Sequence, residues 1–250
     1  MQRTATTLAL VALVALAGCS LPFAGSDAPG AGDATTAPGV TAEGITNETA
    51  LLAAHVDALG AQSYETDIVI NGTIIREEQS VEFSRHQQVL VAEGYSPYQY
   101  RVTETAGAST AQFDVWANES AQFVRVQSGG NTQYQRGNPQ PPASLASASF
   151  IDTFVDDSYT VESTKEEDGH TYTTVTTDTA PDNVTNLVQG ASDVSNFEGT
   201  IIVTEDGRVH AMSITMEYML NGSKETMTVE YQLIQNGAPV EKPSWVSGGE

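Results

Sequence analysis

Between Ala211 and Leu233 the side chains alternate with a period of two. Met212, Ile214, Met216, Tyr218 and Leu220 oppose Ala211, Ser213, Thr215 and Glu217; Met227, Val229, Tyr231 and Leu233 then oppose Thr226, Thr228, Glu230 and Gln232. A strand turns successive side chains to opposite faces, so each run has one apolar and one polar side. Asp206-Gly207 ahead of the first run and Asn221-Gly222 between the two are hairpin turn dipeptides. Two neighbouring antiparallel strands with one wet face leave a dry face that another element must cover.

Helical patterning supplies candidate covers. In NETALLAAHVDALGAQ, Asn47 is a cap, Glu48 makes an acidic first turn, Leu51, Leu52, Val56 and Leu59 form one stripe, and Gly60 is a stop. His55 is expected at the surface or boundary of this helix. After Pro141 and Pro142 a short helix is expected with Leu145, Phe150, Ile151 and Phe154 on its apolar side, and a second short helix over residues 181–189. The rest reads as strands. Tyr64, Thr66, Ile68 and Ile70 share a face, and Val81, Phe83, Val89 and Val91 share another that Arg85 and Gln87 interrupt. Further strands are expected over 98–105, 112–117, 122–127 and 132–136, with a hairpin through Asp168-Gly169.

The N-terminus is organised differently. Arg3 precedes an unbroken aliphatic run, Leu8 to Ala17, and Leu16-Ala17-Gly18-Cys19 follows. Ten helical residues rise about 15 Å, half a bilayer core, which fits a cleaved leader and not a permanent span. Leu-Ala-Gly-Cys resembles the prokaryotic lipobox, which implies a signal peptide over 1–18 and lipidation of Cys19, the one cysteine of the chain. Residues 19–44, rich in Gly, Ala, Pro, Thr and Asp, read as a disordered tether; a domain is expected over 45–246 and a tail over 247–250.

Charge narrows the partners. With 32 acidic against 10 basic residues, the formal charge is −22. Such self-repulsion is relieved in concentrated salt, where the Debye length falls to about 3 Å. The pattern resembles proteins of halophilic archaea. It makes nucleic acid a poor partner, since that binding begins with clustered Lys and Arg. Five sequons, at Asn47, Asn71, Asn118, Asn183 and Asn221, are glycosylation candidates of an exported protein, although Asn71-Gly72 and Asn221-Gly222 also read as turns and Asn47 as a cap.

Little in the chain points to catalysis. His55, His86, His170 and His210 are scattered without metal-ligand spacing, and no nucleophile elbow or phosphate loop is present. Glu166-Glu167-Asp168 beside a turn reads as a solvated tip. The sequence motivates no catalytic residue, metal or cofactor.

The order of lipobox, tether, amphipathic helix and long meander with a helix in its middle is similar to the LolA/LppX-type lipoprotein fold, and to surface lipoproteins of halophilic archaea with this layout. The resemblance implies an α+β protein in which a large curved antiparallel β-sheet, an unclosed half-barrel, wraps a few helices around a hydrophobic cavity. Met212, Ile214, Met216, Tyr218, Met227, Val229 and Tyr231 are the ligand-cavity candidates, because flexible thioethers beside aromatic rings suit an acyl chain; the same residues could simply pack against the helices. Three functions follow: an outward-facing membrane-anchored module that binds a lipid, a module that contacts another envelope protein, and a secreted hydrolase with an unrecognised site.

Overall fold

The computed structural model describes residues 36–188, 190–235 and 237–248. Cys19, the leader and the chain up to residue 35 lie outside the described residues. The folded part begins before Ile45: Ala37 and Val40 are buried, and β1 (Val40–Thr41) pairs with β2 (Gly44–Ile45). This small hairpin takes the end of the expected tether into the sheet, because β2 continues onto the strand at Thr160.

The other strands are β3 (Tyr64–Arg76), β4 (Gln79–Val91), β5 (Tyr98–Ala106), β6 (Ser109–Ala117), β7 (Gln122–Ser128), β8 (Asn131–Gly137), β9 (Thr160–Glu167), β10 (His170–Thr177), β11 (Ala191–Thr204), β12 (Val209–Leu220) and β13 (Ser223–Gln235). Among the described residues they form one thirteen-stranded sheet in the order β1-β2-β9-β10-β11-β12-β13-β3-β4-β5-β6-β7-β8. Every recorded pairing is antiparallel, and the end strands β1 and β8 do not meet. The fold is thus the expected α+β unclosed half-barrel with a few helices.

Three helices cover the inner face, the face that carries Met212 and its alternates. α1 (Glu48–Gly60) begins as the sequence reads, with Asn47 Oδ1 accepting from the Ala50 N–H at 3.0 Å. The segment after the prolines is two short helices, α2 (Pro142–Leu145) and α3 (Ala148–Asp152), and not one. Ser147 between them has φ 57°, a left-handed conformation that an unbroken helix cannot contain. Residues 182–187 form a 3-10 turn. Leu51 and Leu59 of α1 share one buried cluster with Leu145, Ile151, Phe154 and the inner faces of β3 and β10–β13.

His55 corrects the surface expectation. It is 0% exposed and joins three elements: its Nε2 donates to the Ala146 carbonyl at 3.0 Å, and its Nδ1 accepts from the Val209 N–H at 3.0 Å. Because Nδ1 accepts, the proton resides on Nε2 and the ring is neutral. Burial is the main reason that its pKa falls to about 4, helped by Arg208 and opposed by the Ala146 bond and Asp206.

A second, smaller cluster lies on the outer face. There Trp116, Ala121 and Phe123 pack against Val246, with Val240 and Trp245 beside them, so the C-terminal segment lies across β6 and β7.

Candidate functional site

The site arises where β3 changes partner. Residues Tyr64–Asn71 of β3 pair with β13, from Gln235 to Thr228. Residues Gly72–Arg76 pair with β4, from Phe83 to Gln79. At the changeover the Tyr218 hydroxyl takes the place of a strand, accepting from the Thr73 N–H at 2.8 Å and donating to the Thr73 carbonyl at 2.7 Å. Gly72 makes this approach feasible, since a Cβ there would stand 3.0 Å from the Tyr218 oxygen. Asn71-Gly72 is therefore a mid-strand crossing and not the turn that the dipeptide suggests.

Past Gly72↔Phe83, toward the start of β3, the β3–β4 ladder stops. The hairpin turns through two residues, Glu77 and Glu78, both at positive φ. In such a hairpin Arg76 and Gln79 exchange both bonds, and every second residue back from them aims its N–H and C=O at the opposite strand. By that alternation Ile68 and Ile70 face Arg85 and Gln87 across the parted ladder. Two bonds fix the phase independently: Thr73 turns toward β12 and β13 to meet Tyr218, and the Glu82 carbonyl turns toward β5 to accept from Gly107 at 2.8 Å. On the outer face the parting is bridged by side chains, with Asp67 Oδ2 bonded to His86 Nε2 at 2.8 Å and Gln88 Nε2 at 3.2 Å.

On the inner face the parting opens into a cleft of about 230 Å³. Its sheet wall is Ile68, Ile70, Arg85 and Gln87; its helical wall is Ser144, Ser147, Ser149 and Phe150 from α2, α3 and the break between them. Arg85 bonds Gln87 Oε1 at 2.6 Å, while the carboxylate of Glu104 stands 3.7 Å from its Nη1, beyond hydrogen-bond length. The Glu104 side chain is 7% exposed, and its Oε2 has no hydrogen-bond partner among the described residues. Burial pushes the Glu104 carboxyl up against the opposing pull of Arg85. Beyond the cleft's lining, ladder register continues the row from Gln87 to Val102, which is buried, then to Phe113 and Val126. Phe113 and Val126 are half-buried, so this part of the inner face has an apolar row that the helices leave partly open.

The seven methionine-face residues sit elsewhere. Met212, Ile214, Met216, Tyr218, Met227, Val229 and Tyr231 are each at most 1% exposed and belong to the main packed cluster. None of them lines the cleft. In the sequence Arg85 and Gln87 interrupt an apolar stripe; that interruption is the signal that marks the cleft, and the serines carry no signal of their own. A second hollow of about 290 Å³, bounded by Glu43, Thr46, Asp157 and Tyr159, lies where β2 meets β9.

Among the sequons, Asn47 caps α1, and Asn71 lies in β3. Asn118 closes a turn by accepting from the Ser120 N–H, the Ser120 hydroxyl and the Ala121 N–H. Asn221 is exposed at the β12–β13 turn, with φ 51°. Asn183 lies in the 3-10 turn, and its side chain is outside the described set. Among the described residues no group of three or more His, Cys, Asp or Glu side chains could hold a metal ion, and no helix is long and apolar enough to cross a membrane. The histidines are dispersed: His86 pairs with Asp67, His170 with Glu205 at 2.9 Å, and His210 stacks edge-on with Tyr172.

Several solved structures are similar to this chain. The Mycobacterium tuberculosis lipoprotein LppX aligns with 15% identity and a TM-score of 0.32, over 78% of this chain and 100% of that one. A DUF1329 family protein from Desulfovibrio piger aligns with 8% identity and a TM-score of 0.30, over 76% and 92%. A putative outer membrane lipoprotein-sorting protein domain from Vibrio parahaemolyticus aligns with 9% identity and a TM-score of 0.27, over 76% and 93%. No curated protein matches. The model of a family of unknown function, DUF7537, matches residues 4–248, and the chain belongs to that family.

Proposed function

We propose that this protein is a non-catalytic binding module that holds a hydrophobic or amphiphilic ligand in the cleft between α2–α3 and strands β3 to β7. The supporting observation is the half-open inner face. A sheet face lined by Ile68, Ile70, Phe113 and Val126 is expected to be sealed, yet here it borders a cleft with polar groups at one end. Ligand sites combine an apolar wall with a few placed polar groups in this way. At about 230 Å³ the cleft is smaller than the roughly 300–1,000 Å³ of drug-sized sites. It therefore takes one end of an elongated molecule, the remainder running along the Val102–Phe113–Val126 row. In this reading the methionine face is the firm floor beside the site, and thioether flexibility lets that floor yield to a longer chain.

In the same reading the leader is removed, Cys19 carries lipid, and the tether holds an acidic, glycosylated domain outside the membrane. A Cys19→Ser change then moves the protein from the membrane fraction to the medium. Native mass spectrometry of the full chain purified from its host tests the ligand. A non-covalent added mass that leaves on organic extraction, while the Cys19-linked mass remains, is the expected result; a chain with no extractable mass overturns it.

A second reading, contact with another envelope protein, draws on the outer face. There Arg125 lies 5.2 Å over the Trp245 ring, Arg136 5.4 Å over Phe123 and Lys242 5.6 Å over Trp116, with Tyr134 49% exposed beside them. Aromatic rings with arginine are common at the centres of interfaces. Cross-linking in intact membranes through a photoreactive group at Tyr134 tests it, and recovery of uncross-linked monomer alone argues against it.

A further inference from the structure

We infer that the cleft selects ligands that carry an oxyanion, a carboxylate or a phosphate, and that Arg85 is the residue that binds it. This rests on the reading of the cleft as a ligand site and adds the chemistry of the ligand's polar end.

A guanidinium placed on the inner face of a sheet carries a desolvation cost. The Arg85 side chain is 30% exposed and is flanked by Ile68, Ile70 and Phe150. A partly desolvated cation needs a bonded counter-charge. Its neighbour Glu104 provides one imperfectly. At 3.7 Å it lies outside the 2.7–2.9 Å range typical of a charge-assisted bond, and Oε2 has no hydrogen-bond partner among the described residues. Gln87 Oε1 takes one arm of the fork at 2.6 Å. Arginine offers five N–H donors in a planar fork suited to carboxylate and phosphate, and donors beyond those two contacts remain on a residue that lines the cleft.

The surroundings favour an anion in two further ways. The hydroxyls of Ser144, Ser147 and Ser149 line the opposite wall and can donate to the same oxygens. Beyond Gly72↔Phe83 no β3–β4 pairing is present among the described residues, and by alternation the N–H groups of Ile68, Ile70, Arg85 and Gln87 point toward this break as further donors. Glu104 is the resident counter-ion of Arg85. A ligand oxyanion that bonds the fork directly takes over this role, and Glu104, already pushed toward its neutral form by burial, takes up a proton. An amphiphile and a free small anion both carry this chemistry, and the two are separable by experiment.

The test is titration calorimetry of the full chain at fixed salt and pH 7 with decanoate, decanol and inorganic phosphate, in the unaltered protein, in Arg85→Gln and in Arg85→Gln/Glu104→Gln. The double variant removes both charges, so that it leaves no buried carboxylate unpaired if the single variant folds poorly. Decanoate is expected to bind at least about tenfold more tightly than decanol, as for a bond to a charged group, with both variants losing that preference and keeping decanol affinity. Equal affinities for decanoate and decanol, unchanged in the variants, overturn the oxyanion inference and leave the cleft reading intact. Phosphate bound as tightly as decanoate, and lost in both variants, supports Arg85 as the anion site but replaces the amphiphile with a free anion. No binding by any of the three probes overturns both.

Discussion

The two halves of the inner face obey the same alternation and end in different states. On β11 to β13, inward side chains such as Ile201, Met212, Met216 and Met227 are at most 1% exposed. On β4 to β7, Val89, Val91, Tyr98 and Val115 are buried as well, but the inward positions Arg85, Gln87, Phe113 and Val126 stay half-open. Residue type accounts for part of the difference, since Arg85 and Gln87 are polar where their stripe is otherwise apolar; the cover accounts for the rest. Helix α1 is thirteen residues long and tied down through His55, whereas α2 and α3 are four and five residues long and separated by a left-handed serine. The same sheet thus makes a core where its cover is long and a cleft where its cover is short.

The comparison breaks most directly under truncation. Met227→Ala, in the closed half, is expected to cost about 2–5 kcal/mol, and Phe113→Ala, in the open half, under about 2 kcal/mol. Urea unfolding midpoints check this, and equal losses would mean that both halves are equally packed. The next effect is set by acid. The folded pKa of His55, about 4, lies below its ordinary 6.5, so the folded state binds fewer protons between these values. Its contribution is whole above pH 6.5 and is lost as pH falls toward 4, by roughly 3 kcal/mol. Burial raises the carboxyls of Glu104 and Glu230, which act in the opposite sense on acidification. His55→Gln should flatten the pH 4–6.5 limb of the stability curve specifically; an unchanged limb would refute the assignment.

A smaller effect sharpens the boundary between the halves. Tyr218→Phe removes both bonds to Thr73 and leaves that N–H and carbonyl without their strand-like partner, at a cost of about 1–3 kcal/mol. Amide exchange at Thr73 should accelerate with it, while exchange in the middle of β12 should not. The smallest concerns the cap: Asn47→Ala should cost about 1 kcal/mol, and Asn47→Asp, which keeps the capping oxygen and removes the sequon, should cost less. Thermal melts of the pair separate capping from glycosylation.

Much of the fold was legible because it rests on local signals. The alternation over β12 and β13 assigns inward and outward side chains correctly, and Asn47, the Leu51–Leu59 stripe and Gly60 bound α1. What escaped is tertiary. His55 reads as a boundary residue on a helix because its partners, Ala146 and Val209, lie 91 and 154 residues away. Asn71-Gly72 carries the same letters as a turn, and only Tyr218, from another hairpin, makes it a crossing. The cleft was half legible: Arg85 and Gln87 stand out against their stripe, but the parted ladder and the broken helix opposite them have no local signature.

The partner change of β3 has a consequence for how the chain assembles. Strands β4 to β8 form a meander in which each strand pairs with its sequence neighbour, so their loops close over short distances. Residues 64–71 instead pair with 228–235, and they must wait for the last strand of the sheet. Loop-closure entropy makes such distant pairing slow. The sheet is therefore two locally closing meanders, β3 to β8 and β9 to β13, and the distant pairing of β13 with residues 64–71 is the seam that joins them, with the Tyr218 hydroxyl latched onto Thr73 at its end.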